Sequence, residues 1–209
     1  MELVQAINQR KTAKILGNID QPMKDQIVPR TEIEELLELA KTAPFHFPCH
    51  TVHLPNGQET RAPWRIYILD KKKCLELLAW FKSEEINSGK IGQMLATCQY
   101  LLQVTWCPEP HDLGFNRFED NQKNMEHIAG TSAAIENILL GATSKRLANY
   151  WSSGGVLREE RLYDHLSIPK NQILLGSLFL SPEGMENVQI IGGAHRGKTG
   201  DPSNWSKWL

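Results

Sequence analysis

A short basic segment near the start of the chain has the residue types of an anion-binding site. It places three cations and a hydroxyl within five residues: Arg10, Lys11, Thr12 and Lys14. A guanidinium can bind two phosphate oxygens at once, and an ammonium acts as a point charge. The alternative is a solvated helix end, because charged runs usually just face water. We expect Leu3 to Leu16 to form a short helix that enters a basic turn, and both roles remain open.

A second group of reactive side chains lies in an irregular stretch from Phe45 to Arg61. It contains four residues of types that bind zinc: His46, Cys49, His50 and His53. Closed zinc sites usually show two separated ligand pairs, and this spacing matches no established finger or zinc-protease pattern. We therefore expect a long surface loop over an opening, where substrate contacts are common, and no metal.

Paired glycines follow a short predicted strand in the second half of the chain. Asn149 to Trp151 has the composition of a strand, and Ser152 to Gly155 predicts a sharp turn at its end. Glycine adopts backbone conformations closed to other residues and has no side chain to shield the amide. Gly154 and Gly155 could therefore present bare backbone amides to a ligand.

One long helix is the element on which the rest of the chain is expected to pack. Apolar and small residues recur at spacings of three and four between Glu119 and Leu147, with no proline in between. At 1.5 Å per residue this helix would be roughly 43 Å long, about the width of a globule of this size.

The other predicted elements alternate between helices and strands. Because helices separate the strands, we expect mixed α/β layers around one sheet. A capping box at Thr31–Glu34 should start a helix that ends near Thr42, before Pro44. Further helices are predicted over Asp70–Asn87, Lys90–Thr97 and Glu159–His165, and strands over Arg65–Leu69, Tyr100–Trp106 and Gln172–Leu180.

The length, composition and net charge of the chain limit which class of protein it can be. The 209 residues suit one domain, and 41% hydrophobic with 22% charged residues is ordinary for a soluble globule. A formal net charge of −1 predicts no general affinity for nucleic acid or anionic membranes. No signal-peptide core or membrane-spanning run is present, so we expect a cytoplasmic protein with reduced cysteines.

Several common enzyme motifs are absent from the sequence. No G-x-G-x-x-G follows the first predicted strand, which argues against a Rossmann dinucleotide site. Neither a P-loop nor the G-x-S-x-G of a nucleophile elbow occurs. By contrast, the tail from Val188 carries Arg196, Lys198, Trp205 and Trp208. Two tryptophans are unlikely to stay in water, so this tail should lie on another surface, such as a second subunit.

A set of short motifs in one order resembles the nitroreductase family of FMN-dependent oxidoreductases over nearly the whole chain. The motifs are R-x-T-x-K at Arg10–Lys14, L-L-E-x-A-x-x-A-P at Leu36–Pro44, P-W at Pro63–Trp64, N-x-x-K at Asn87–Lys90, A-A-I-x-N-x-L-L-x-A at Ala133–Ala142, the turn at Trp151–Gly155, and Arg196 with Lys198. The resemblance implies a three-layer α/β sandwich, with a mainly antiparallel central sheet flanked by helices and one long central helix. It implies a single domain over 1–209 and a homodimer with FMN at the interface, in which residues from about 188 to 209 extend onto the partner.

The resemblance also implies which residues bind FMN. Arg10, Arg196 or Lys198 would hold the phosphate, Thr12 would add a hydroxyl, and Lys14 would lie toward the flavin ring. Asn87, on the adjoining helix, would contact the ring or ribityl chain. The implied cofactor-binding residues are Arg10, Lys11, Thr12, Lys14, Pro44, Asn87, Gly154, Gly155, Arg196 and Lys198. No catalytic side chain is implied, because the flavin carries the chemistry.

Three hypotheses for function follow. The first is an FMN-dependent oxidoreductase that passes reducing equivalents from NADH or NADPH to a small flat acceptor, of nitroaromatic or quinone type, by a ping-pong mechanism. Phe45, His46 and Phe47 would stack on or bound that acceptor, although aromatic residues in a loop also simply pack. The second is a flavin-binding or regulatory protein of the same fold without turnover, and the third is a metal protein built on the histidines and Cys49.

Overall fold

The computed structural model describes residues 2–54 and 60–209, so the centre of the predicted loop at Phe45–Arg61 lies outside the described residues. The helices within this part are α1 (Leu3–Gln9), α2 (Arg30–Lys41), α3 (Lys71–Ser83), α4 (Gly89–Leu95), α5 (Gln122–Ser144) and α6 (Glu160–Leu166). The strands are β1 (Ala13–Leu16), β2 (Trp64–Leu69), β3 (Tyr100–Trp106), β4 (Leu147–Ser152), β5 (Ile173–Pro182) and β6 (Gln189–Gly192). None of the helices in the described residues is long and apolar enough to cross a membrane.

The central sheet has four strands in the order β2-β3-β5-β4, and every neighbouring pair is antiparallel. Trp64 of β2 lies opposite Trp106 of β3, and Tyr100 of β3 lies opposite Leu180 of β5. Every residue of β3 is buried, as its mostly apolar, partly β-branched sequence predicts. The predicted bounds of this strand, Tyr100–Trp106, are confirmed.

Helices cover both faces of this sheet, so the predicted three-layer sandwich is confirmed. On one face α2 and α5 bury an apolar cluster that includes Ile33, Leu36, Ile135 and Ile138. On the other face, α3, α4 and α6 bury a second cluster that includes Leu77, Phe81, Leu95 and Tyr163.

A second, two-stranded sheet joins the two ends of the chain. β1 pairs antiparallel with β6, and Thr12 forms an isolated parallel bridge to Asn149 of β4. The prediction of a helix and basic turn over Leu3–Leu16 is therefore wrong in its second half. α1 ends at Gln9. Residues Ala13–Leu16 form a strand instead, because they pair with β6, which is distant in the sequence.

The long helix is shorter than predicted at both ends. α5 spans 23 residues rather than the whole of Glu119–Leu147, which makes it about 34 Å long. Its start is fixed by the Asn121 side chain, which accepts a hydrogen bond from the Asn124 N–H at 2.9 Å. Its end is fixed by Arg146, whose φ of 59° is left-handed and turns the chain into β4.

Two other predicted boundaries are also wrong. α2 begins at Arg30 with Pro29 as its N-cap, so the predicted capping box beginning at Thr31 lies inside the helix and does not start it. α3 stops at Ser83, and Glu85 has a left-handed φ of 51°. Asn87 consequently lies in the loop between α3 and α4 and not at the end of a helix.

Candidate functional site

The basic residues from the two ends of the chain meet at the end of α1. The Arg196 guanidinium donates from Nη2 to the carbonyls of Asn8, at 2.8 Å, and Ile7, at 3.2 Å, and from Nη1 to the carbonyl of Arg10. These are carbonyls that the last turn of a helix leaves without helical partners, and a cation is favourable there. Three of the five N–H groups of Arg196 thus hold α1 in place, and two stay available for a ligand.

The neighbouring residues of the N-terminal cluster are also fixed by the fold. Arg10 Nε lies 3.4 Å from Glu136 Oε1 of α5, and its side chain is partly buried. Thr12 packs against Gly193, where a Cβ would lie 3.2 Å from the hydroxyl oxygen. Lys11 and Lys198 are exposed to solvent near this junction. The structure therefore brings together the predicted phosphate-binding residues of both chain ends.

Lys14 lies on β1 and reaches across to β4. Its ammonium is 4.8 Å from the centroid of the Tyr150 ring, within the range of a cation–π contact. Tyr150 in turn stacks on Phe179 of β5. The Lys14 cation is therefore held against β4, the strand that leads into the glycine turn.

The predicted glycine turn is present and requires glycine. Gly154 has φ 108° and Gly155 has φ 55°, and a Cβ on Gly154 would lie 2.7 Å from Leu174 Cδ2. The Gly154 N–H donates to Ser152 Oγ at 3.2 Å, so this amide is already bonded within the turn. Arg158 braces the turn, donating from Nε to the Ser153 carbonyl and from Nη2 to the Leu175 carbonyl at 3.3 Å.

Asn87 is exposed in the loop between α3 and α4, where it lines a surface cavity with Ile19 and Lys90. No hydrogen bond or ion pair in the described part of the chain joins it to Lys14 or to the glycine turn. Its position is thus compatible with an exposed binding role, but the structure does not assemble it with the other predicted residues.

The segment from Pro44 to Phe47 packs on the first half of α5. Phe45 meets Trp64 edge to face at 5.5 Å between ring centroids, and His46 Nδ1 lies 3.8 Å from Glu126. Gly130 permits this close approach, since a Cβ there would be 3.2 Å from the Pro44 carbonyl oxygen. In the described residues, no polar or aromatic contact joins this segment to Arg10, Lys14 or Gly154 of the same chain.

The potential zinc ligands do not converge. Among residues 2–54 and 60–209, no three His, Cys, Asp or Glu side chains are arranged to hold a metal ion. His50 Nδ1 accepts from the Val52 N–H, and the buried His53 bonds through Nε2 to the Pro108 carbonyl at 2.7 Å. The metal-protein hypothesis therefore has no geometric support in the described residues.

Three residues that hold the site together were not predicted from the sequence: Glu136, Tyr150 and Arg158. Tyr150 and Arg158 flank the Gly-Gly turn in the sequence, and this closeness was the one sequence feature that could have pointed to their role. Glu136 has no such signal, because its role depends on where α1 ends relative to α5.

The C-terminal segment beyond β6 lies at the surface and contains two short 3-10 helices, at Arg196–Lys198 and Pro202–Asn204. Every residue from Gly192 to Leu209 is exposed, and Trp205 and Trp208 are 67% and 100% exposed. β6 and Arg196 lie on β1 and α1 of the same chain, although the predicted extension onto a partner began near residue 188. The extension remains a prediction for the residues beyond Lys198.

Comparisons with solved structures show where this fold recurs. A nitroreductase-like family protein from Bacillus cereus is 19% identical, with a TM-score of 0.62 over 87% of this chain and 86% of that one. A nitroreductase family protein from Clostridium novyi NT is 17% identical, with a TM-score of 0.58 over 87% and 85%. A nitroreductase with bound FMN from Bacteroides fragilis is 17% identical, with a TM-score of 0.55 over 94% and 97%. At these identities the likeness concerns the fold.

The sequence itself gives the family. No curated protein is similar enough in sequence to match this chain. Residues 22–180, about three quarters of the chain, do match the nitroreductase family. With the three-layer sandwich and the long α5 in place, this chain belongs to the nitroreductase family.

Proposed function

We propose that this protein is an FMN-dependent oxidoreductase that passes reducing equivalents from NAD(P)H to a small flat acceptor of nitroaromatic or quinone type. Membership of the nitroreductase family supports an oxidoreductase. The Bacteroides fragilis nitroreductase of the same fold has FMN bound, which supports the choice of cofactor.

The observation that carries the proposal is the junction of the two chain ends at Arg196. FMN ends in a phosphate, and this junction gathers cations and a hydroxyl without a metal ion. Arg10, Lys11 and Lys198 would bind the phosphate, and Arg196 would fix the end of α1 beneath it. The residues present thus suit a phosphate-bearing ligand.

The rest of the site suits the ring end of the cofactor. Bound FMN would supply the capacity to accept and donate two electrons, which no protein side chain here provides. Lys14, held over Tyr150, would stabilise negative charge on the reduced cofactor. The glycine turn would allow close approach of the ligand to the backbone, because Gly154 and Gly155 have no side chains.

We propose that the working unit is a homodimer. Among the described residues, no polar or aromatic contact joins Pro44 to Phe47 to the basic junction of its own chain, as expected if this segment serves the site of a partner. α1 leaves Leu3 and Val4 exposed at 66% and 68%, and the tail leaves Trp205 and Trp208 exposed. A second subunit would remove this apolar surface from water.

Donor and acceptor are proposed to use one pocket in turn. The sequence carries no separate G-x-G-x-x-G dinucleotide-binding motif, which supports one site for both substrates. A shared pocket requires that the oxidised nicotinamide leaves before the acceptor enters. Initial-rate plots should then be parallel lines, and high acceptor concentration should compete with NAD(P)H.

The deciding experiment is a visible absorption spectrum of the purified protein before and after addition of NAD(P)H. We expect a yellow protein that is bleached by the donor and recovers colour when a quinone or nitroaromatic is added. Bound FMN that NAD(P)H does not bleach would favour the flavin-binding protein without turnover. A protein that neither retains nor binds added FMN would overturn the proposal.

A further inference from the structure

Two buried cysteines lie together where β2 begins and β3 ends. Cys49 is 2% exposed and Cys107 is fully buried. Both are held by the segment that leads into β2: the Cys49 N–H donates to the Arg61 carbonyl at 2.9 Å, and the Cys107 N–H donates to the Pro63 carbonyl at 2.8 Å. A side-chain hydrogen bond between the two thiols is the largest influence on the pKa of Cys49 and on that of Cys107. The two sulfur atoms are thus neighbours across about 60 residues of sequence.

An arginine without an acidic partner lies against this pair. Arg65 Nη2 is 3.7 Å from Cys49 Sγ, and its guanidinium also donates to the carbonyls of Ala62, Trp64 and His53. No carboxylate in the described part of the chain forms an ion pair with Arg65. A guanidinium remains charged at all ordinary pH values, and a partly buried charge is costly without a counter-charge. A Cys49 thiolate is the anion within reach.

The electrostatic setting of Cys49 is consistent with a thiolate. The hydrogen bond from Cys107 is the largest influence, burial opposes it, and Arg65 and His127 add favourable charge. Together they lower the pKa of Cys49 to about 6. The same hydrogen bond and burial raise the pKa of Cys107, so Cys107 stays a neutral thiol. One nucleophile and one neutral thiol in contact are the two groups needed to form a disulfide.

We propose that Cys49 and Cys107 form a peroxide-sensitive pair that closes to a disulfide. The Cys49 thiolate attacks one oxygen of hydrogen peroxide, the O–O bond breaks, and Cys49 sulfenic acid and hydroxide form. The Cys107 sulfur then attacks the Cys49 sulfur, the S–O bond breaks, and the thiol proton leaves with the departing hydroxyl as water. Two thiol groups are oxidised by two electrons, and one peroxide is reduced to water and hydroxide.

The chain contains a second close cysteine pair that serves as a control. Cys74 Sγ and Cys98 Sγ are 3.7 Å apart, and both residues are fully buried. The nearby Lys71 ammonium donates to three backbone carbonyls, and burial raises the pKa of Cys74 well above its usual value. Both pairs are buried, but the pKa is lowered for Cys49 and raised for Cys74. Comparing the oxidation rates of the two pairs in one protein therefore separates the effect of a lowered thiol pKa from the effect of having two cysteines close together.

The experiment treats the purified, fully reduced protein with hydrogen peroxide at pH 7. Free thiols are then tagged with an alkylating reagent, and peptides are identified by mass spectrometry. We expect a Cys49–Cys107 disulfide to form at least about tenfold faster than one between Cys74 and Cys98, because thiolate content governs the rate. The rate should be nearly constant from pH 7 to 9 and fall below pH 6. This readout needs neither bound FMN nor turnover, so it is independent of the proposed function.

Variants distinguish the pair from a single reactive thiol. In Cys107→Ser, Cys49 should stop at the sulfenic acid, which a dimedone probe would trap, whereas Cys74→Ser should leave the Cys49–Cys107 reaction unchanged. Equal oxidation rates for the two pairs, or resistance of both, would overturn the proposal. Oxidation of wild-type Cys49 to sulfinic acid without a disulfide would also overturn it. The wild-type measurements decide the question even if a variant fails to fold.

Discussion

Replacing Arg10 or Arg196 at the junction of the chain ends should weaken FMN binding, and the loss of affinity should be larger for Arg196 than for Arg10. Arg10→Ala deletes one charge-assisted contact to the phosphate, worth about 1.5–3 kcal/mol, which corresponds to roughly 10- to 150-fold in Kd. Arg196→Ala should cost more than this. It removes the remaining donors of Arg196 and also the three hydrogen bonds that hold the end of α1, including the one to the Arg10 carbonyl.

The double variant tests this dependence. If Arg10 is positioned by Arg196, adding Arg10→Ala to Arg196→Ala should cost little more, with a coupling energy of about 1 kcal/mol or larger. The combined loss should still exceed about a hundredfold in Kd, because both charges are gone. Arg196→Lys should be intermediate, since an ammonium keeps the charge but cannot bridge the three carbonyls as a fork.

The assay is titration of the apoprotein with FMN, followed by quenching of flavin fluorescence. Lys72→Ala is the matched control, because it removes an exposed cation from α3, far in sequence from the junction. Circular dichroism should show that every variant stays folded. Unchanged FMN affinity in the double variant would refute the assignment of the phosphate site. Strictly additive losses would refute the positioning role of Arg196 while leaving both residues as contacts.

Three further predictions concern the acceptor, the dimer and pH. Phe47→Ala should change the acceptor's apparent KM or kcat far more than the rate of reduction by NAD(P)H, and stopped-flow rates that change equally would contradict this. Truncation after Lys198 removes both exposed tail tryptophans, so it should lower dimer content on analytical ultracentrifugation and reduce flavin occupancy; an unaffected dimer would exclude the tail from the interface. The pKa of the Cys49 thiol is about 6 in the folded protein and near 8.5 in the unfolded chain. The ionised thiol therefore contributes its full stabilisation of the fold above about pH 8.5, and this contribution is lost as the pH falls through 6. Relative to Cys49→Ser, the free energy of unfolding of the wild type should thus fall by up to about 1.4 kcal/mol per pH unit in that window, and parallel denaturation curves would disprove it.

Sequence patterns predicted the elements whose signals are local. Tyr100–Trp106 is mostly apolar and partly β-branched and ends before Pro108, and it became β3 with the predicted bounds. The Gly154–Gly155 turn followed from the residue types alone, because few other residues adopt positive φ. The long helix was predicted from its periodicity, but its ends were not, since an asparagine cap and a left-handed arginine carry little sequence signal.

The assembly of the site was not predictable from such patterns. β1 is four residues long, and it is a strand only because β6 pairs with it from more than 170 residues away. The role of Arg196 as an anchor for α1 depends on that pairing, as does the position of Lys14 over Tyr150. The resemblance to a family named Arg10, Lys14 and Arg196 as neighbours of one ligand, but it did not show that Arg196 bonds to the Arg10 carbonyl and to the last turn of α1.

The pairing of β1 with β6 also sets the order of events during protein synthesis. Residues Ala13–Leu16 leave the ribosome first, and their partner residues Gln189–Gly192 emerge more than 170 residues later, followed by Arg196. The central sheet and its helices have most of their contacts available before then, whereas the basic junction does not. A nascent chain should therefore acquire its core first and the basic junction last, since contacts of such long sequence separation form late and slowly. A chain that stalls or is cleaved before residue 189 would be folded in its centre but would lack the junction at which we propose that the FMN phosphate binds.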